Sequence, residues 1–241
     1  MTVTVGAATT TLGLFLNFDD LTANAATTKD CSTYNAVVTV PVGIVGDTNG
    51  LKNTTSMSIA TAGPAISATS MYFICILNNI VATAFNTLNG ALAITVYVKL
   101  QPTCGDTIIV SNKNAQSGTY GFQLEYINNV IQLWGSGGDF CATKTVLIND
   151  NNWHRITAVA NGTYCYIFID EVPVTSDNSI TAIVGSTDPL VIGSGLTGEI
   201  DQLAIYVNFM LAYQVEGLVD TMPSCNSPVS TTGNWIKRIL M

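Results

Sequence analysis

Charge is what this sequence has least of. Only 10% of its 241 residues are Asp, Glu, Lys or Arg, against roughly 25% in an average soluble domain. The eight basic residues are scattered, which removes the electrostatic footprint that nucleic acid or an anionic membrane surface requires. A single histidine, His154, rules out His-pair metal sites and leaves Ser-His-Asp or Cys-His catalysis without a partner set in view. No cysteine belongs to a C-x-x-C pair, which argues against zinc. No Gly-rich phosphate loop precedes a helix. Long apolar runs are missing too. The longest, 71–85, is broken by Asn78-Asn79 and falls short of the ~20 residues a spanning helix needs. Residues 1–11 carry no basic leader segment, so the expectation is a leader already removed or a protein delivered by assembly.

What is present is aliphatic and neutral-polar. Apolar residues make up 48% of the chain, and Thr, Asn, Ser and Gly do most of the wetting. Such a surface suits an extracellular or assembled protein. Alternating runs recur along the whole length: 12–18, 37–45, 51–59, 91–102, 107–111, 120–126, 130–134, 153–160, 164–170, 189–193 and 198–207. Tight-turn signals separate many of them, at 46–50, Asn128-Asn129, Asn161-Gly162 and Asp170-Glu171. In 120–126, Tyr120, Phe122, Leu124 and Tyr126 share one face, while Gly121, Gln123 and Glu125 share the other. A period of two across so many short runs predicts an all-β fold: two antiparallel sheets stacked face to face.

The order of the later pieces is specific. Trp153-His154 opens a strand that runs into a hairpin. Ile169-Asp170-Glu171 ends the next, and Leu190-Val191-Ile192-Gly193 and then Gly198 to Tyr206 follow. Together with Ala91 to Pro102, where Tyr97 stands at a usual Trp position, this order resembles laminin-G-like, concanavalin-A-like jelly-roll domains. The resemblance implies a jelly-roll sandwich over 1–219, with an insertion at 61–90 and a short helical tail at 209–219. Residues 220–241, ending in Trp235-Ile236-Lys237-Arg238-Ile239-Leu240, then form a C-terminal extension or docking arm. It also implies one structural Ca²⁺ at the rim, held by Asp19, Asp20 and Asp201 with backbone carbonyls.

The same superfamily includes glucanases, so Glu199 and Asp201 invite a test. Strict alternation puts both on one face, but the third position is Leu203. A retaining mechanism then lacks its proton donor. Sugar binding by a sandwich needs an exposed aromatic beside hydrogen-bonding groups; Trp134 with Tyr120 and Asp139 is the available platform, unless Trp134 and Trp153 belong to the core. The cysteines Cys31, Cys75, Cys104, Cys141, Cys165 and Cys225 allow three disulfides in 15 connectivities, or serve as buried thiols; Cys165 lies between Tyr164 and Tyr166 in a strand. Asn53-Thr54-Thr55 and Asn161-Gly162-Thr163 are glycosylation sequons, meaningful on a secretory route.

These readings lead to a non-catalytic structural or interaction protein of an extracellular assembly, such as a virion capsid or surface layer, with other subunits as partners. The alternative is a secreted carbohydrate-binding lectin with glycan partners. A glycoside hydrolase fails on the missing carboxylate.

Overall fold

The structure, a computed structural model, describes residues 91–113, 121–136, 140–160, 164–178, 183–186, 188 and 190–207, with the short stretches 11–16, 27–29, 37–39, 45–47, 56–59 and 73–75. The early strands are β1 (Thr11–Leu16), β2 (Thr27–Lys29), β3 (Val37–Thr39), β4 (Val45–Asp47), β5 (Ser56–Ile59) and β6 (Phe73–Cys75). Next come β7 (Leu92–Leu100), β8 (Thr107–Ser111), β9 (Gln123–Ile127), β10 (Val130–Trp134), β11 (Phe140–Thr143) and β12 (Trp153–Ala160). The last are β13 (Cys165–Ile169), β14 (Val172–Pro173), β15 (Thr175–Asn178), β16 (Leu190–Ser194) and β17 (Gly198–Val207).

Among the described residues these strands form two antiparallel sheets and a small β2–β3 pair. The larger sheet runs β14-β13-β12-β7-β17-β5-β4, with β1 pairing the far half of β17. The second runs β15-β11-β10-β9-β8-β16-β6. Alternation decides which side chains meet between them. Leu92, Ile94, Val96, Val98 and Leu100 of β7 point inward, as do Ile156 and Ala158 of β12, and they pack on Leu124, Ile131, Leu133 and Ile192 of the facing sheet. Burying each large aliphatic side chain contributes about 1.5–3 kcal/mol, so this layer holds the sandwich together. The central strand β7 is covered on both sides, since Ala93 and Thr95 on its outer face are also fully buried.

Turn chemistry fixes the register. Asn128 and Asn129 take φ of 52° and 62° between the paired Ile127 and Val130. Asp170 and Glu171 take 49° and 71° between Ile169 and Val172. Two successive left-handed residues match the twist of the flanking strands, and short polar side chains tolerate that conformation best. Ala160 pairs with Cys165 across the expected Asn161-Gly162 hairpin, whose turn residues lie outside the described ones.

Several expectations are corrected. The turn placed at 46–50 starts later, because Gly46 and Asp47 belong to β4 and pair with β5. The run 37–45 is two strands rather than one, β3 and β4, in different sheets, as Pro41 between them would suggest. Within 61–90, residues 73–75 form the edge strand β6 beside β16. Strands β11 and β15, the last two at one end of the second sheet, had no alternating signal to announce them. The assumed uniform phase of β17 also fails. Between Asp201 and Ala204 the register with β7 shifts by one residue, and Gln202 sits at φ 48°. This is a bulge, and it sends Leu203 into the core with Ile200 and Ile205 instead of leaving it beside Asp201. The helix at 209–219 and the arm at 220–241 lie outside the described residues. Among the described residues, no helix is long and apolar enough to cross a membrane.

Candidate functional site

The outer face of the second sheet carries a connected polar cluster around one aromatic ring. Inward Ile131 and Leu133 force Gln132 and Trp134 of β10 outward, and inward Leu124 does the same for Gln123 and Glu125 of β9. Strand pairing sets Trp134 opposite Gln123 and Gln132 opposite Glu125. The Trp134 indole N–H donates to Glu125 Oε1 and to Gln132 Oε1, the latter at 3.1 Å. Gln123 Nε2 donates to Glu125 Oε2 at 2.5 Å, and Ser111 Oγ donates to Gln123 Oε1 at 3.2 Å. Lys113 Nζ stands 4.5 Å from the Trp134 ring centre, within cation–π range.

Glu125, only 3% exposed, is the pivot. Both of its oxygens are engaged, so the carboxylate fixes the orientation of the half-buried ring. Trp134, Gln132 and Lys113 are left as an aromatic surface rimmed by an amide and a cation. Of the three residues expected to form a sugar platform, Trp134 is in this cluster; Tyr120 and Asp139 lie outside the described residues. The sequence pointed to Trp134 and to the outward phase of Gln123 and Glu125. It could not show that Glu125 would be buried and accept the indole N–H, nor that Lys113 would reach the ring.

The other candidates are dispersed. Glu199 is ion-paired to Lys99 at 2.9 Å on the outer face of the larger sheet. Asp201 is fully buried, and its Oδ1 accepts the Gln202 backbone N–H at 2.7 Å. The bulge makes Ala204, not Leu203, the next outward residue, and it too offers no acid. Asp19, Asp20, Cys31 and Cys225 lie outside the described residues; Cys75 is described through its backbone in β6. Cys141 and Cys165 form a disulfide with Cα atoms 6.0 Å apart, joining β11 of one sheet to β13 of the other. Cys104 is a buried free thiol.

His154 acts as a latch rather than a base. Its Nδ1 lies 2.7 Å from Asp170 Oδ2 and its Nε2 3.1 Å from Asp150 Oδ1. Two carboxylates can both be satisfied only by an imidazolium. Burial pulls the imidazole down, but the hydrogen bonds and charges of Asp170 and Asp150 outweigh it and raise the pKa above the ordinary 6.5. Asp150 is held down to about 2, first by the Asn152 side chain and then by its backbone N–H. A raised folded-state pKa means the latch stabilises fully below pH 6.5 and loses that contribution as pH rises through the folded value. Melting temperature is expected to fall across that window in the wild type and to stay flatter in His154→Gln. Equal slopes would show that the latch contributes nothing.

The fold now has known counterparts. The binding domain of botulinum neurotoxin serotype C1 is similar at a TM-score of 0.58 and 14% identity, over 84% of this chain and 50% of that one. For the serotype D binding domain the values are 0.57 and 15%, over 85% and 49%. The binding domain of botulinum neurotoxin DC, solved in complex with SialylT, gives 0.54 and 15%, over 89% and 52%. The chain spans about half the length of these domains, and identity this low establishes shared fold alone. No curated protein matches the sequence. A family model, however, matches residues 78–216, more than half the chain. With its two stacked antiparallel sheets and that match, the chain belongs to the concanavalin A-like lectin/glucanases superfamily.

Proposed function

We propose that this chain is a non-catalytic, lectin-type carbohydrate-binding module that reads sugars on the outer face of its second sheet. The observation that carries this reading is Trp134, a ring locked by Glu125 and flanked by Gln132 and Lys113. A fixed aromatic plane stacks on a sugar ring at little entropic cost, and the amide and ammonium supply direction. The toxin binding domain solved with SialylT is consistent with it. On the other sheet, Glu199 is neutralised by Lys99 and Asp201 is out of solvent, a poor arrangement for hydrolysis.

Retention of the isolated chain on a panel of sialylated and neutral oligosaccharides tests the proposal. Trp134→Ala is expected to weaken retention roughly tenfold or more with the melting temperature little changed; undiminished retention would remove Trp134 from the site. A second reading, a subunit of a virion or extracellular surface assembly, draws on the low charge and on exposed Leu147, Val172 and Tyr164. No retention combined with self-association in sedimentation would favour it. Under either reading the Cys141–Cys165 bridge fits an oxidising, extracellular setting.

Calcium forms a separate part of the proposal. Among the described residues no group of three or more His, Cys, Asp or Glu side chains could hold a cation. Asp201 is therefore insufficient, and the site needs Asp19 and Asp20, which lie outside the described residues. If they complete it, chelation lowers the melting temperature and added Ca²⁺ restores it; an unchanged value removes the ion.

A further inference from the structure

The polar groups around Trp134 are not an even mixture of donors and acceptors. Glu125 Oε1 accepts the indole N–H, and Oε2 accepts from Gln123 Nε2. Gln132 Oε1 shares the same indole proton, and Gln123 Oε1 accepts the Ser111 hydroxyl. Every side-chain carbonyl and carboxylate oxygen of the cluster thus already holds a donor. Two donor groups are left over. Among the described residues nothing accepts from Gln132 Nε2, and Lys113 Nζ has no ion-pair partner, only the Trp134 ring 4.5 Å away. The backbone sets that ammonium in place. Just past β8, the Asn112 N–H donates to the Phe122 carbonyl at 3.0 Å, and Asn112 Oδ1 accepts the Phe122 N–H at 3.2 Å. Ser111 beside Gln123, buried Asn112 and partly exposed Lys113 therefore continue the alternation of the sheet. The Lys113 N–H closes the arrangement by donating to Ser111 Oγ at 3.1 Å.

We infer that the Trp134 face selects acidic sugars, with Lys113 as the residue that pairs with the carboxylate of a sialic or uronic acid. This rests on the reading of that face as a sugar site and adds the class of sugar. Hydroxyl groups donate as well as accept, whereas an ionised carboxylate only accepts. A neutral sugar finds the acceptors of the cluster already occupied; a carboxylate meets an ammonium and an amide N–H with protons to give, and charge-assisted bonds are the stronger kind. A neutral sugar stacking on the face that Lys113 covers must also displace the ammonium from the ring. A carboxylate draws it off into an ion pair instead. The chain as a whole carries a net charge of -8 and repels anions at long range, so selectivity for an anion has to come from a local cation.

Calorimetric titration of the full chain with matched pairs tests this: sialyllactose against lactose, and a glucuronic-acid-ended disaccharide against the glucose-ended one of the same linkage. The acidic member of at least one pair is expected to bind severalfold tighter, which names the source of the carboxylate, and the preference is expected to shrink as salt is raised. Lys113→Gln is expected to weaken the acidic member about fivefold, the upper range for a partly exposed ion pair, and to leave the neutral member unchanged or tighter. Lys113→Arg is expected to keep the preference. Equal binding within both pairs, a preference that survives Lys113→Gln, or equal weakening of both members by that variant would overturn the inference. In each of those cases sugar is still bound, and the Trp134 reading stands as long as Trp134→Ala weakens both members. Binding of no sugar at all would remove both.

Discussion

Gly198→Ala is expected to cost about 4 kcal/mol, enough to remove much of the stability of an ordinary domain. Gly198 opens β17 at φ +150°, and a Cβ there would lie 2.1 Å from the Lys99 carbonyl oxygen and 3.0 Å from its carbon. Both atoms are backbone of the central strand β7, so neither can turn away as a side-chain tip would. Strained backbone of this kind costs about 1–3 kcal/mol, and the clash adds a similar amount. The displaced segment includes the Gly198–Leu100 and Glu199–Lys99 pairings, and with them the Lys99–Glu199 ion pair. Gly105 supplies the control, because a Cβ there meets nothing within 4 Å. Urea unfolding of both variants decides the matter; near-wild-type stability for Gly198→Ala would mean that the two backbones are not so closely apposed.

Loss of the Cys141–Cys165 disulfide is expected to cost about 3 kcal/mol. The two residues are 24 apart in sequence, and closing a loop of that size removes roughly this much free energy of the unfolded chain. The bond also ties one sheet to the other through the core, where both side chains are fully buried. In the variant with Cys141→Ala and Cys165→Ala together, the denaturation midpoint should fall, and added reductant should change it no further. A reductant-insensitive wild type would show that the bridge is absent or idle. Exchange with Cys104 is disfavoured: burial pushes its thiol up, and thiol exchange proceeds through the thiolate.

Most of the sandwich was legible because its strands repeat every two residues. β7 and β10 were readable from Leu, Ile and Val at alternate positions, β8, β12 and β17 from short apolar runs, and the turns at Asn128-Asn129 and Asp170-Glu171 from the Asn and Asp that tolerate positive φ. Features set by three-dimensional proximity were not. Nothing near Cys141 or Cys165 names its partner, since pairing depends on which strands of the two sheets face each other. Glutamine is an unexpected residue in a left-handed conformation, so Gln202 gave no warning of the bulge. Arg155 and Glu125 fell in the outward phase of their strands, where charge is ordinarily solvated; their burial reflects what lies over the sheets. For the candidate site, that left the aromatic visible and its support hidden.

The extra residue in β17 also limits what this scaffold could become. A row of acids like that of a glucanase would need a glutamate at 203 to follow 199 and 201. Gln202 breaks that row, and a charge introduced at 203 would point at Leu16 and Ile205 in the dry interior. Ala204, paired with Thr95, is the position that rejoins the outward row, three residues after Asp201 instead of two. One inserted residue thereby keeps a third acid out of the row that Glu199 and Asp201 begin.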